Sequence, residues 1–216
     1  FEIYAYSLGN KRDFMYERIS KVVRNFKNVS NLSEIDIAKL ARRDGIDIAI
    51  DLSGYTKNGK PEVFAHRAAP IQVSYLGFPG TMGANFVDYI IVDKNLVPPE
   101  NQKYYSEKPI YLPKHYQAQD NSFSLENAPS KRELGLPEDA FIFCAINNTY
   151  KITSVEFDIW MRLLHGVADS VLWLYESNEM AKENLIKQAL NRGISSDRLV
   201  FAKLVAFDKY ISQLTH

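Results

Sequence analysis

The sequence predicts an α/β protein whose strands form parallel sheets. Short β-rich runs, among them Ile71 to Leu76 and Val87 to Val92, are bounded by turn residues, as strands are. Helical stripes of apolar residues separate these runs at the spacing of βαβ units, which implies parallel strands joined by right-handed crossovers. The runs end in Gly/Pro-rich turns, the kind found at the sheet edges where α/β proteins bind ligands.

In the first half of the chain the expected elements alternate regularly. A helix opening at Asp13 is expected to carry Ile19, Val22, Val23 and Phe26 on one face. A capping box in the segment 33–36 opens the next helix. The expected elements are a strand at 1–7, the helix from 13, a short strand within 27–32, a helix at 33–45, a strand at 46–52, a helix at 61–66, strands at 71–76 and 87–92, a short helix from 98 and an extended segment at 109–113.

Residues 115–130 lose this periodicity and are rich in Asn, Gln, Ser and Ala, which indicates a linker. We therefore expect one domain at 1–128 and a second at 129–216. Beyond the linker the alternation restarts. The expected elements are a helix at 131–135, a strand at 141–146, a helix capped by Thr153 and Glu156, a strand at 171–175, a helix at 180–192, a strand at 199–202 and a last helix from about Asp208.

The balance of charged residues limits the classes of partner that we expect. The 26 Lys and Arg residues balance the 26 Asp and Glu residues, so no global field favours nucleic acid or an anionic membrane. We expect neither as a partner. No apolar run approaches the roughly 18 residues of a membrane span, and we expect no signal peptide. The single cysteine, Cys144, is expected in a buried strand and suits a reducing compartment, so the sequence predicts a cytoplasmic protein.

The first candidate site is the run Asn147 to Lys151, between the end of a strand and a capped helix. Free backbone N–H groups and the helix dipole favour an anion at such a place, and Lys151 adds a full positive charge. Amide and ionic groups at the carboxyl end of a parallel strand are what a diphosphate leaving group requires. The alternative is an ordinary solvated loop that happens to contain a lysine.

The second candidate is the run Leu76 to Thr81. Its glycines allow backbone to approach a ligand closely, and its amides can donate hydrogen bonds. The alternative is a stiff turn without a ligand. The run is neither a P-loop nor a dinucleotide-binding GxGxxG. Residues 53–57 are candidates for the same crevice or for a plain surface turn.

Metal and nucleophile motifs are missing from the sequence. The four histidines, His66, His115, His165 and His216, lie at no metal-ligand spacing. Of these, His115 is the one site candidate, because it follows an extended segment at a domain edge. There is no D-x-D motif to hold a nucleotide's divalent metal and no GxSxG nucleophile elbow. We therefore expect no metal and no cofactor.

Taken together, the segments resemble the catalytic region of the O-GlcNAc transferase family, which are UDP-GlcNAc:polypeptide glycosyltransferases of the GT-B type. Any one segment is weak, but their order over nearly the whole chain is specific. The matching segments are 44–47, Leu52 to Lys57, Ala69 to Val73, Leu76 to Ala84, 88–91, Tyr105 to Lys108 and Tyr150 to Ile152.

The resemblance implies two facing Rossmann-like domains with UDP-GlcNAc between them. It also implies inverting, metal-independent transfer of GlcNAc to Ser and Thr hydroxyls of a protein or peptide acceptor. In the family's Asn-Gln/Asn-x-Tyr-Lys pattern the amide contacts the uridine nucleotide and the lysine stabilises the diphosphate, which here falls on Asn148 and on Lys151 as the catalytic residue. The donor-facing Leu-Gly-Tyr-Pro-Gly turn falls on Leu76, Gly77, Pro79 and Gly80.

This chain also departs from the family. Phe78 replaces the tyrosine of the donor-facing turn and removes its hydroxyl. Where the family has a histidine against the nucleotide base, the run Phe207 to Tyr210 places Tyr210, which would stack on the base. The family's active-site histidine segment would precede Phe1, and its His-Thr-Thr diphosphate loop would follow His216. We therefore expect a fragment truncated at both ends that catalyses no transfer alone.

Two other readings stay open on the sequence. One is a different enzyme of the same fold, either another GT-B transferase or a UDP-GlcNAc epimerase, because a fold does not fix its chemistry. The other is a catalytically inactive domain that binds a nucleotide sugar or serves as a scaffold, which the departures at Phe207 and Tyr210 would suit.

Overall fold

The computed structural model describes residues 1–118 and 128–203, together with Val205 and Ser212. The chain divides into two compact units, residues 1–119 and 120–216. The assignment of 1–128 and 129–216 to the two domains of a GT-B enzyme stays a prediction. Within each unit, helices and strands alternate as the sequence indicates.

The first unit contains six strands and three α-helices among its described residues. In chain order they are β1 Tyr4–Ser7, α1 Phe14–Val22, β2 Asn25–Asn28, α2 Glu34–Arg43, β3 Ile48–Asp51, α3 Glu62–Ala65, β4 Ile71–Tyr75, β5 Tyr89–Val92, a 3-10 helix at Pro99–Tyr104, and β6 Lys108–Tyr111.

The described part of the second unit contains three strands and two α-helices. They are β7 Phe141–Ala145, a 3-10 turn at Thr149–Lys151, α4 Ser154–Gly166, β8 Ser170–Tyr175, α5 Glu179–Leu190, a 3-10 turn at Ser196–Arg198, and β9 Leu199–Ala202.

All the strand pairs in the described residues are parallel, which confirms the predicted α/β class. The strands form a pair β1-β2, a four-stranded sheet in the order β3-β4-β5-β6, and a three-stranded sheet in the order β7-β8-β9. Because parallel strands end at the same edge of a sheet, the loops after β3, β4, β5 and β6 lie side by side. The loops after β7 and β8 do the same in the second unit.

The larger core cluster of the first unit lies where α2 and α3 cover the strands. The N-cap half of the predicted capping box is confirmed, since the Ser33 hydroxyl accepts the Asp36 N–H over 3.3 Å and begins α2. The apolar side of α2 is then buried. The cluster that it joins consists of Val29, Ile37, Ala38, Ala41, Val63 and Ala68.

The core of the second unit covers both faces of β8. Leu172 and Leu174 pack on one face with Phe157, Met161 and other residues of α4 and α5, whereas Val171 and Trp173 pack on the other face. Burial on both sides explains why this strand is a continuous apolar run, as central parallel strands are. Trp173 is 1% exposed and belongs to this core.

Several sequence predictions are wrong in detail. Phe26 lies in β2 and not on the α1 face, because that helix ends at Val22. Residues 131–135 form hydrogen-bonded turns and no helix. Cys144 is exposed rather than buried, because β7 is an edge strand of the described sheet and has no neighbour on one side. The helix predicted from Asp208 lies outside the described residues, apart from Ser212.

Candidate functional site

The loop after β7 places Asn148 and Lys151 where the sequence predicted them. The Asn147 N–H donates to the Ala145 carbonyl over 2.9 Å, which turns the chain sharply at the end of the strand. A single 3-10 turn follows, closed by the Lys151 N–H on the Asn148 carbonyl at 3.0 Å. Thr153 then begins α4. Asn148 and Lys151 therefore both lie between the carboxyl end of a parallel strand and a helix N-terminus, a geometry that suits an anion.

Lys151 is exposed, and no carboxylate among the described residues pairs with it. Tyr150 beside it is 81% exposed. The helix that follows begins at Thr153, whose hydroxyl bonds to the Glu156 carboxylate and not to a backbone N–H. The predicted side-chain cap at Thr153 is therefore wrong, since no backbone N–H in the first turn of α4 donates a hydrogen bond to that hydroxyl. The charge of Lys151 is available to a ligand.

The turn after β4 is strained at Leu76. Its φ of 73° lies in the left-handed region that bulky residues avoid. The Gly77 N–H donates to the Tyr75 carbonyl over 3.0 Å. A hydrogen bond that spans one residue of positive φ closes a γ-turn of the rare, strained kind. Such strain persists only where the surroundings fix the backbone, and it clusters at functional sites.

Gly77 is the point at which two loops touch. A Cβ atom added to Gly77 would lie 2.2 Å from the carbonyl oxygen of Leu52, which belongs to the loop after β3. Carbon atoms do not approach a backbone oxygen so closely, so no other residue fits. The loops after β3 and β4 therefore pack backbone against backbone at this edge of the sheet.

The Phe78 side chain holds the same two loops together. Its ring lies edge-on to the ring of Tyr55, with centroids 5.5 Å apart, and the Tyr55 hydroxyl donates to the Met82 carbonyl over 2.9 Å. A Cβ atom on Gly54 would come within 2.6 Å of the Phe78 Cβ. Phe78 thus packs against the loop after β3, and the predicted turn residues Leu76, Gly77, Pro79 and Gly80 lie together in one braced segment.

Glu107 is a residue that sequence reasoning missed. It is 2% exposed, yet both oxygens of its carboxylate are used: one accepts the Met82 N–H at 2.6 Å and the other the Thr81 hydroxyl at 2.7 Å. The neighbouring Tyr105 hydroxyl donates to the Pro79 carbonyl over 3.1 Å, and burial, with the Glu107 charge, raises the pKa of that phenol. Glu107 and Tyr105 therefore clamp the far end of the turn.

Asp51 is a second buried carboxylate at this edge, and it too was missed. It is the last residue of β3, 6% exposed, and its Oδ1 accepts the N–H groups of Ser53 and Gly54, each at 2.9 Å. Its Oδ2 is buried without a hydrogen-bond partner among the described residues. The loop 52–57 could be located from the sequence, but the role of Asp51 in holding that loop could not be predicted.

The segment after β6 brings His115 to the same edge. The Tyr116 N–H donates to Asp93 Oδ2 at 2.8 Å, and the Tyr116 carbonyl accepts the Tyr75 hydroxyl at 2.8 Å. His115 itself is exposed, and its Nδ1 accepts the Gln117 N–H at 3.1 Å. A functional role for His115 stays a prediction.

The remaining site predictions have no described counterpart. Phe207 and Tyr210, which were expected near the nucleotide base, lie outside the described residues. Within 1–118 and 128–203, no group of three or more His, Cys, Asp or Glu side chains has a geometry that could hold a metal ion. A cavity of about 530 Å³ is lined by Asp36, Lys39, Arg42 and Arg43 of α2, none of which is a predicted site residue. None of the described helices has both the length and the apolar character needed to cross a membrane.

Comparison with known proteins gives concordant matches. The profile of glycosyl transferase family 41 matches residues 1–132 and 123–213. A protein of Arabidopsis thaliana named probable UDP-N-acetylglucosamine–peptide N-acetylglucosaminyltransferase SEC is 35% identical over 217 residues, which cover 97% of this chain and 22% of that protein. A Caenorhabditis elegans UDP-N-acetylglucosamine–peptide N-acetylglucosaminyltransferase is 24% identical over 324 residues, which cover 96% of this chain and 28% of that protein.

A solved structure agrees with these matches. A mutant of the Thermobaculum terrenum O-GlcNAc transferase superposes with a TM-score of 0.85 at 24% identity, over 98% of this chain and 40% of that one. This likeness confirms the predicted α/β fold of GT-B type. The chain spans well under a third of the length of the two curated relatives.

Proposed function

Since this chain belongs to glycosyl transferase family 41, we propose that the protein carrying it transfers N-acetylglucosamine from UDP-N-acetylglucosamine to Ser and Thr hydroxyls of proteins, with inversion. The observation that supports the proposal is the family match over both units, together with an exposed Lys151 between the end of β7 and the start of α4. The names of the relatives indicate the donor and the peptide acceptor.

Lys151 is the proposed catalytic residue. In transfer from a nucleotide sugar, the bond from the sugar C1 to the diphosphate oxygen breaks, and the electron pair leaves with the diphosphate. A cation that is fixed beside that oxygen stabilises the charge as it develops, and so it acts mainly in the transition state. The exposed ammonium and the N-terminus of α4 supply positive charge of this kind. Asn148, two residues before Tyr150, is proposed to hydrogen-bond the uridine nucleotide.

The turn after β4 is proposed to contact the donor through its backbone. The residues of this turn are Leu76, Gly77, Pro79 and Gly80. The support is the strain at Leu76 and the bracing by Glu107 and Tyr105, because a strained and immobilised turn is typical of a ligand-binding segment. With phenylalanine at 78, no side-chain hydroxyl is available from that position. A stacking contact from Tyr210 to the base stays a prediction. A cytoplasmic location for the protein is also a prediction.

The decisive experiment supplies the purified protein that carries this chain with radiolabelled UDP-N-acetylglucosamine and an acceptor peptide that contains Ser and Thr. We expect the label on a hydroxyl side chain in the β configuration, opposite to that of the donor. UDP should compete, and ADP and GDP should not. Free sugar or an epimerised nucleotide sugar as the main product would favour the epimerase reading, and UDP binding without any turnover would favour an inactive binding domain.

Metal independence is proposed as part of the mechanism. A lysine and a helix N-terminus can together balance a diphosphate, a task that a divalent ion performs in enzymes with a D-x-D motif. We expect the transfer rate to be unchanged after dialysis against EDTA. A rate that disappears in EDTA and returns with Mg²⁺ or Mn²⁺ would contradict this mechanism, while leaving the donor and acceptor assignments intact.

A further inference from the structure

Two neighbouring loops of the second unit are joined through their side chains. Oγ1 of Thr149 and Oγ of Ser177 share a partly buried hydrogen bond of 2.7 Å. Thr149 lies in the loop after β7, and Ser177 lies in the loop after β8. The two strands run parallel, with Ala145 opposite Leu174, so both loops leave the sheet at the same edge.

The Thr149 side of this bond is otherwise weakly held. The 3-10 turn that begins at Thr149 is closed by only two backbone hydrogen bonds, to the carbonyls of Asn148 and Thr149. Asn148 gives the turn no side-chain cap, and Tyr150 is 81% exposed. In the described part of the chain, the bond to Ser177 is therefore the side-chain tie between this turn and the rest of the unit.

The Ser177 side is firmly held. The N–H of Glu176 donates to the Ala202 carbonyl over 2.9 Å, which fixes the residue before Ser177 to the end of β9. Oδ1 of Asn178, the residue after it, accepts the Ala181 N–H over 2.9 Å and caps α5. The serine hydroxyl is thus an anchor placed between a strand and a helix, and the turn is the part that it holds.

We propose that Ser177 is a positioning residue for Lys151 and acts through Thr149. The inference rests on the proposed function, in which the Lys151 ammonium must meet the leaving diphosphate. A lysine has a long flexible stem, so the place where its backbone is fixed decides how often the ammonium reaches the correct point. Misplacement of a catalytic group by about 1 Å can cost as much as about 100-fold in rate. The hydroxyl pair fixes the backbone two residues before the lysine.

A purely structural role predicts a different pattern of effects. If the bond only stabilised the unit, its loss would lower the unfolding temperature. It would also change UDP affinity by the same factor whether or not Lys151 is present. If the bond positions Lys151, its loss changes UDP affinity only while Lys151 is present. The non-additivity of two substitutions measures this dependence directly.

The test compares Thr149→Val, which keeps the shape and removes the hydroxyl, with Thr149→Ser, which keeps the hydroxyl. Both are made in the protein that carries this chain, alongside Ser177→Ala. UDP affinity is measured by calorimetry and turnover with UDP-N-acetylglucosamine. We expect Thr149→Val and Ser177→Ala each to weaken UDP binding and to lower kcat by roughly 3- to 10-fold. Thr149→Ser and the control Ser20→Ala, which removes an exposed hydroxyl in α1, should stay within about two-fold of the unmodified protein.

The same substitution is then made in a Lys151→Ala background, and UDP affinity is read out because it does not require turnover. We expect Thr149→Val to change UDP affinity there by less than about two-fold. An equal loss in both backgrounds, or no loss in the unmodified background, would overturn the positioning role while leaving the proposed function standing. A Lys151→Ala protein with unchanged UDP affinity and turnover would overturn both.

Discussion

The edges at which the two units carry their candidate loops are built from groups of different charge. In the first unit, Asp51, Asp93 and Glu107 are each no more than 6% exposed, and each accepts backbone N–H groups of the loops beside it. In the second unit, the loop that contains Lys151 is tied by the neutral hydroxyls of Thr149 and Ser177. The carboxylates of the first edge are taken up by hydrogen bonds within the unit, whereas the charge of Lys151 at the second edge is available to a ligand.

This difference assigns different tasks to the two edges. The loops after β3 and β4 form a stiff platform, and changing them should cost stability. The loop after β7 is lightly held and presents a cation, so changing it should cost ligand binding and turnover at nearly constant stability. We therefore propose that the diphosphate of the donor lies at the second edge, because a buried carboxylate repels a phosphate whereas an ammonium attracts it.

The largest expected loss of stability comes from Gly77→Ala. The added Cβ would meet the Leu52 carbonyl oxygen at 2.2 Å and the Ser53 Cα at 3.1 Å, and both are backbone atoms that cannot give way without moving the loop. We expect the free energy of unfolding to fall by about 3 kcal/mol, as in severe overpacking. Denaturant titration measures it. Gly9→Ala is the control, because nothing lies within 4 Å of its Cβ position. Equal stability of the two variants would mean that the platform is not rigid.

Glu107→Gln should have the next largest effect. The amide keeps one oxygen for the Met82 N–H but loses the charge and the second acceptor, which serves the Thr81 hydroxyl. We expect a loss of about 1–2 kcal/mol in the free energy of unfolding, as for hydrogen bonds to a charged group. The exposed Glu100→Gln is the control and should change little. A Glu107→Gln variant that lowered turnover without lowering stability would contradict the structural role assigned to the platform.

Acid should weaken the contacts that Asp93 makes at the first edge. Hydrogen bonds from the N–H groups of Leu96, Tyr116 and Asn95 lower the pKa of Asp93 below its usual 3.8. A carboxyl whose folded pKa is lowered stabilises the protein above its unfolded pKa, and that stability is lost as the pH falls through the folded value. The unfolding temperatures of the unmodified protein and of Asp93→Asn should therefore differ most above about pH 5, and the difference should shrink progressively as the pH falls below about 4. A difference that does not vary with pH would contradict this assignment.

Much of the fold was accessible from the sequence, because strand and helix periodicity are local. The runs at 46–52, 71–76 and 87–92 became β3, β4 and β5, and the loop containing Lys151 falls where it was predicted. The failures are also instructive. Phe26 continued the periodic stripe of α1 although the chain had already turned into a strand, and Cys144 was misjudged because apolar residues alone do not reveal whether a strand lies at a sheet edge.

The groups that hold the loops at the two edges could not have been found in this way. Glu107 meets Met82 across 25 residues of sequence, and Ser177 meets Thr149 across 28. No local pattern encodes such a pairing, which depends on parallel strands bringing their ends to one edge. The run Tyr105 to Lys108 marked the family resemblance, but the reason for its glutamate becomes visible only when the strands are placed.

The measurement that tests the account most directly is the turnover of Lys151→Ala set against its unfolding temperature. The loss of one preorganised stabiliser of developing charge is expected to lower kcat by on the order of 100-fold or more, with a smaller effect on donor affinity. The unfolding temperature should not change, because the exposed ammonium pairs with no carboxylate among the described residues. Lys187→Ala, which removes an exposed lysine of α5, is the matched control and should behave as the unmodified protein does. A kcat within a few-fold of the unmodified protein would contradict the central claim that the second edge supplies the cation for the diphosphate.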